Sequence, residues 1–241
     1  MDMQYFFTYE TGLPEGTGYS FFDVTHLSWM FVSFAMVGLL VYSYNKTRSG
    51  NKRKFMVTVA SVLLLCEVVR NVWFIAVGEF TLQQSLPLQL SRILVYTEVL
   101  AIFLNSRFLK EFTYACGLFS VAAFIAPDIM QYPIFHIHTI RYSVAHIIIM
   151  AVPLMWIFAD GFRPDIRYLP KCAALLAGIA VVAETVNILL GSNYLHIHYI
   201  PTHVNLNLRQ PFFAMAFIGA VIGFWVVIYL PWVVIEKIKK R

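Results

Sequence analysis

The sequence predicts an all-α, polytopic membrane bundle of about seven transmembrane helices, and three observations carry that prediction. The 241-residue chain is 59% hydrophobic and 13% charged, against roughly 45–50% and 25% in soluble domains, and its mean hydropathy is +0.69. Its apolar residues gather into spans near the ~20 residues a helix needs to cross a bilayer. The charge of the connections between those spans alternates. No linker, low-complexity tract or internal repeat divides the chain, so residues 1–241 read as one integral membrane domain.

The first span, 24–44, follows an acidic, aromatic stretch holding Asp2, Glu10, Glu15 and Asp23. A signal peptide needs a positive leader and a small-residue cleavage site, and neither is present there. The second span, 55–77, is entered through Lys46, Arg48, Lys52, Arg53 and Lys54. The third, 86–106, opens on Leu86-Pro87-Leu88; a first-turn proline costs little, because its missing N–H would be unbonded there anyway. Arg107 and Lys110 precede the fourth, 112–128, which is short and expected to be tilted or partly re-entrant. Between the fifth span, 137–159, and the sixth, 169–191, Arg163, Arg167 and Lys171 outweigh Asp160 and Asp165. The seventh, 211–235, runs into Lys237, Lys239, Lys240 and Arg241. The intervening segments 1–23, 78–85, 129–136 and 192–210 are poor in Lys and Arg. The positive-inside rule therefore places the N-terminus outside and the C-terminus in the cytoplasm, in the cell membrane. The net charge of +5 reads as topology, not as a nucleic-acid footprint. Cys66, Cys116 and Cys172 show no CxxC spacing and read as small buried hydrophobes.

Seven ionisable residues lie well inside these spans, away from their ends: Glu67, Arg70, Arg92, Glu98, Arg141, His146 and Glu184. On insertion scales an Asp, Arg or Lys at a helix centre costs roughly 2.5–3.5 kcal/mol, so such residues turn inward and mark function. Measured along each helix, most of them fall in the outer half of the bilayer, as do Ser91, Asn187 and His26. One buried polar site open to the non-cytoplasmic side is expected. Glu67 and Arg70, three residues apart on one helix, are expected to pair. Ser91 shares a face with Glu98, Ser143 with His146, and Glu184 with Asn187. The plainer reading of each set is interhelical hydrogen bonding that holds the bundle together.

Ser91 and His146 are the candidate catalytic pair, since a histidine base beside a hydroxyl is the minimal activated nucleophile. Ser91 would lie near a helix N-terminus, where the dipole favours an anion. Arg92, Arg141, Asn187, His26, Arg70, Glu98 and Glu184 are candidate substrate-binding residues. The pairs His136/His138 and His196/His198, with His203, have no carboxylate or cysteine at ligand spacing, and no metal or other cofactor is expected. The 191–210 loop is long for a membrane connection and reads as a lid or as plain surface. Membrane lipids are the expected partners, and the sequence says nothing of oligomeric state. Three readings stand: a lipid-acting enzyme, a transporter or receptor for a small polar solute, and a structural membrane subunit.

Several segments together resemble one family. LPLQLSRI (86–93) resembles the LPLHLC-type helix start of the YwaF-like bacterial integral membrane family. YSVAHIIIMAVPLMW (142–156) resembles its helix with a buried histidine, ETVNILLGSNY (184–194) its VN…LGTNY segment, and His26 in FFDVTHLSWM its early histidine. The order and spacing of all four agree. The family is similar to the animal transmembrane protein 164 acyltransferases, which use a cysteine and a histidine to move acyl chains between phospholipids. It is more distantly similar to the androgen-induced-gene hydrolases, which use a threonine and a histidine. The resemblance puts the family histidine on His146 and the family cysteine on Ser91. Serine is the poorer nucleophile at neutral pH and depends more on its base.

Overall fold

A computed structural model describes residues 3–199 and 212–239. The expected 200–210 part of the lid, with His203, Asn205, Asn207 and Arg209, lies outside the described residues, as do Lys240 and Arg241. Among the described residues the regular structure is entirely helical: α1 Val24–Lys46, α2 Ser49–Ala76, α3 Leu82–Ser85, α4 Leu90–Leu104, α5 Arg107–Gly117, α6 Val121–Ile125, α7 Ile137–Ala159, α8 Leu169–Leu190 and α9 Phe212–Lys239. Six stretches among the described residues are long and apolar enough to cross a membrane: Val24–Lys46, Ser49–Ala76, Arg107–Ile125, Ile137–Asp160, Ile166–Leu190 and Ile218–Ile238. This is a multi-pass membrane protein.

The expected third span is the one that falls short. Its helix, α4, has 15 residues, a rise of roughly 22 Å, below the thickness of a bilayer's hydrocarbon core. Two local features trim it. Leu86 and Gln89 are extended, so the helix begins after Pro87 and not at it. At the other end Asn105 takes the left-handed conformation (φ 50°), which Asn tolerates better than most residues. Ser106 then caps α5 by accepting from the Leu109 amide, and α4 and α5 form a tight hairpin. The expected fourth span is longer than its apolar core: α5 continues through a 3-10 turn into α6.

α7 is the central element and packs against α1, α2, α4 and α5. Its small and apolar face, Ala145, Ile149, Ala151, Val152 and Met155, is fully enclosed. α9 is fastened to α5 by Trp225 Nε1 donating to the Ala115 carbonyl at 3.0 Å, Tyr229 O–H to Glu111 Oε2 at 3.2 Å, and Trp232 Nε1 to Tyr114 Oη at 2.9 Å. Outer faces are apolar: Phe31, Val72, Val181, Leu189 and Val227 are all exposed. Hydrocarbon is the solvent for such faces, so burial of polar groups inside sets the packing.

The N-terminal segment lies across the non-basic end of this bundle. Trp73 Nε1 donates to the Phe7 carbonyl at 2.9 Å and the Ile137 amide to Phe6 O at 3.1 Å. His136 caps α7 through Nδ1, which accepts from the His138 amide at 3.0 Å, while Nε2–H donates to Thr8 O at 3.0 Å. Both ring nitrogens are thus engaged with backbone. The acceptor role requires a neutral ring, and burial holds the His136 imidazole below its ordinary range.

Candidate functional site

α2, α4 and α7 come together with the 191–199 segment and the N-terminal segment around a cavity of about 480 Å³. Ser91, Arg70, Arg92, Arg141 and His146 all line it. The expected convergence of buried polar residues is therefore met by this set. It is not met by Glu98, Glu184, His26 or Asn187, which lie elsewhere.

Ser91 owes its place to the late start of α4. Gln89 is the N-cap, so Ser91 falls within the first turn and not one turn in. First-turn amides have no intrahelical acceptor, and the helix dipole adds partial positive charge there. Arg92, the next residue, is the anchor of this helix start. Its Nε donates to Glu67 Oε2 at 2.8 Å, and Nη1 donates to the carbonyls of Ser85 at 2.7 Å and Leu86 at 2.6 Å. The expected Glu67–Arg70 pair does not form, because Arg92 from the neighbouring helix occupies Glu67. Arg70 instead donates to the Gln84 carbonyl at 2.7 Å and to Asn71 Oδ1 at 3.3 Å, with its guanidinium 4.5 Å from the Phe74 ring centroid.

Arg141 has no hydrogen-bond or ion-pair partner among the described residues, and its Nε is buried. A guanidinium with five donors and nothing to bond is set up for an anion. Arg70 likewise has no carboxylate partner among the described residues. Of the three cavity arginines, only Arg92 is ion-paired among the described residues.

His146 sits a turn and a half further along α7 from Arg141. Its Nδ1–H donates to the Tyr142 carbonyl at 2.9 Å, and the ring lies 4.0 Å from that of Tyr142. A carbonyl can only accept, so this bond fixes the tautomer with the proton on Nδ1. Nε2 is left with its lone pair, the state a general base requires. Ser91 and His146 share the cavity without a direct hydrogen bond between them.

The residues that lie elsewhere are structural in their contacts. His26 ties α1 to α6: Nδ1 accepts from the Phe22 amide at 2.9 Å and Nε2–H donates to Phe124 O at 3.0 Å. Asn187 ends α8 by accepting from Ser192 Oγ at 2.9 Å and the Tyr194 amide at 2.7 Å, and donating to Tyr194 O at 3.1 Å. It thereby aims Ser192, Asn193 and His196 at the cavity without lining it. Glu184 meets His198 Nε2 at 2.9 Å, half exposed on α8. Glu98 is fully enclosed against α5 and α7, and neither carboxyl oxygen has a hydrogen-bond partner among the described residues. A Cβ at Gly117 would come within 3.1 Å of the Ile149 carbonyl and 3.5 Å of Glu98 Oε1, so a larger residue there would press on the Ile149 backbone.

Several cavity residues are not among those the sequence points to, and Asp128 and His196 are the ones with chemistry to offer. By sequence Asp128 marks only the end of a span, yet it lines the cavity and acts electrostatically on His146, Arg141 and His196. His196 was grouped with its H-x-H partner, but the left-handed backbone of Leu195 (φ 57°) and His196 (φ 52°) separates the two side chains and turns His196 inward. Such conformations in non-glycine residues cluster at functional sites. Burial holds the His196 imidazole below its ordinary range, with Asp128 pulling the other way. No spacing rule would have found either residue. The three cysteines are buried and free; Cys66 is within electrostatic reach of Arg141 but does not line the cavity.

Against known proteins, the model of the TMEM164 family matches residues 21–229. That range takes in every cavity-lining residue on α2, α4 and α7. No curated protein and no solved structure matches the chain.

Proposed function

The chain belongs to the TMEM164 family, and from that premise we propose that it is a membrane-embedded acyltransferase or lipid esterase acting on phospholipid acyl chains. The observation that carries the reading is the joint presence, in one cavity, of Ser91 at a helix N-terminus, His146 with a free Nε2, and the unpaired Arg141. Arg141 and Arg70 take the lipid phosphate. Ser91 Oγ attacks the ester carbonyl and passes its proton to His146 Nε2. The first-turn amides of α4 stabilise the oxyanion. Collapse of the tetrahedral intermediate returns that proton to the departing lysolipid alcohol and leaves an acyl-serine. A second alcohol then takes the acyl group, or water hydrolyses it, with His146 again the base.

A fluorophosphonate probe tests the nucleophile. Covalent labelling of the purified protein is expected, and Ser91→Ala is expected to abolish it. Labelling that survives in Ser91→Ala would move the nucleophile to another residue.

A second reading, a receptor or transporter for a small polar solute, draws on the same two arginines without carboxylate partners. It needs no Ser91–His146 contact. A protein that binds an anionic solute saturably in an Arg141-dependent way, yet is never labelled by the probe, would favour it.

The alternation of loop charge supports a seven-pass count with α4 included, N-terminus outside, in the cell membrane. In that orientation the cavity opens in the outer half of the bilayer, near the ester level of outer-leaflet lipids. Cysteine labelling of Glu15→Cys from outside only, and of Ser49→Cys from inside only, is the expected pattern; the reverse pattern would invert the protein.

A further inference from the structure

At the opposite end of the bundle a second recess, of about 350 Å³, is bounded by Tyr44 of α1, Lys52, Arg53 and Met56 of α2, the end of α4, Lys110 of α5, and Trp156 and Asp160 of α7. Lys52 and Arg70 are eighteen residues apart on one helix, a rise of roughly 27 Å, so this recess is separate from the cavity of Ser91 and His146. It is independent of the reading given to that cavity.

We propose that this recess binds the phosphodiester headgroup of an anionic phospholipid. Its cations do structural work that leaves most of their donors over. Arg53 Nη1 caps α4 at the Ile102 carbonyl at 2.6 Å, and Lys52 Nζ caps α7 at Ala159 O at 2.7 Å while pairing with Asp160 Oδ1 at 2.7 Å. Lys110 Nζ reaches Asn105 Oδ1 at 2.6 Å. A guanidinium has five N–H donors and an ammonium three. Arg53 therefore keeps four, Lys110 two and Lys52 one beyond these contacts. Three cations face the single carboxylate of Asp160, which also accepts from Tyr44 O–H at 2.7 Å. Helix capping accounts for one donor on each of two cations; it does not account for a recess lined with two positive charges in excess.

Two further features select a lipid over a free anion. Aromatic rings surround the charges as at a membrane interface: Lys110 lies over Trp156 at 5.3 Å, Lys52 over Tyr44 at 4.9 Å and Arg53 over Phe103 at 5.3 Å. Beside the recess, Leu100, Phe103 and Leu104 on α4 are exposed and offer a track for acyl chains. A basic pocket between helices at the charge-rich end of a membrane protein fits an acidic headgroup.

The test uses purified protein in phosphatidylcholine vesicles, in an Arg70→Gln, Arg141→Gln background that removes both cations without carboxylate partners from the other cavity, with fluorescent phosphatidylglycerol as probe. Saturable binding is expected. Lys110→Gln is expected to weaken it about fivefold, Lys110→Arg to retain it, and Lys54→Gln, an exposed lysine outside the recess, to leave it unchanged. Inorganic phosphate is expected not to compete. Equal loss in Lys54→Gln and Lys110→Gln, equal loss in Lys110→Gln and Lys110→Arg, full competition by phosphate, or no saturation would each overturn the proposal.

Discussion

Replacing His146 by alanine is expected to lower lipid turnover by about 10²–10⁴-fold, the contribution of a positioned general base, while the protein remains folded and inserted. Among the described residues the ring makes one hydrogen bond, to the carbonyl of its own preceding turn, so its loss breaks no hydrogen bond between helices and only an edge contact with the Phe124 ring of α6. Thermal unfolding close to that of the native chain is therefore the accompanying expectation. The Tyr142 carbonyl bond fixes Nδ1 as the donor, and catalysis by Nε2 then needs the neutral ring, so turnover should fall on the acid side of its pH profile. A folded His146→Ala protein with undiminished turnover would remove this histidine from the chemistry. A variant that merely unfolds would show the residue to be structural, and His146→Gln, which keeps a polar group of similar reach, then separates the two roles through its unfolding temperature and its turnover.

The helical class was legible because lipid demands apolar outer faces over about 20 residues, and spans 24–44, 137–159 and 169–191 match α1, α7 and α8 within a few residues. The third span was not, because hydropathy over residues 86–106 cannot register that Asn105 adopts the left-handed conformation or that a turn at Pro87–Leu88 delays the helix to Leu90. The shift matters for the site, since it moves Ser91 from one turn inside a helix to its first turn. Inward-facing charges were found from their cost in lipid, which is why Arg70, Arg92, Arg141 and His146 were all singled out. Their pairing was misread: an i, i+3 rule sees Arg70 beside Glu67, whereas Arg92, twenty-five residues away, is the partner. Cost in lipid also cannot tell a cavity from a core. Glu98 and Arg141 carry the same penalty, and only packing places Glu98 against Gly117 and Ile149 and Arg141 at the cavity wall. His196 and Asp128 depend on loop conformation, for which sequence periodicity holds no information.

Removing the Glu67 side chain is expected to be the most destabilising single change in the site. Glu67 and Arg92 are 4% and 5% exposed, and Glu67→Leu would leave the Arg92 guanidinium buried without its counter-charge, at a cost of about 3–5 kcal/mol. The consequence reaches the chemistry by a short route. Arg92 holds the Ser85 and Leu86 carbonyls, and these fix the turn that starts α4 and sets Ser91 in its first residues. Glu67→Leu is therefore expected to lower both the unfolding temperature and turnover, although Glu67 itself is not among the residues lining the cavity. The double variant Glu67→Leu with Arg92→Leu separates the causes. Removing both charges relieves the unpaired guanidinium, so the double variant is expected to unfold at a higher temperature than Glu67→Leu alone. It also frees the Ser85 and Leu86 carbonyls, so turnover is expected to stay low. If Glu67→Leu unfolds like the native chain in detergent, the ion pair does not hold α2 to α4. If the double variant recovers turnover along with stability, the position of Ser91 does not depend on Arg92, and the helix start must be held by the Tyr194 hydroxyl, which accepts from the Leu86 amide at 2.9 Å.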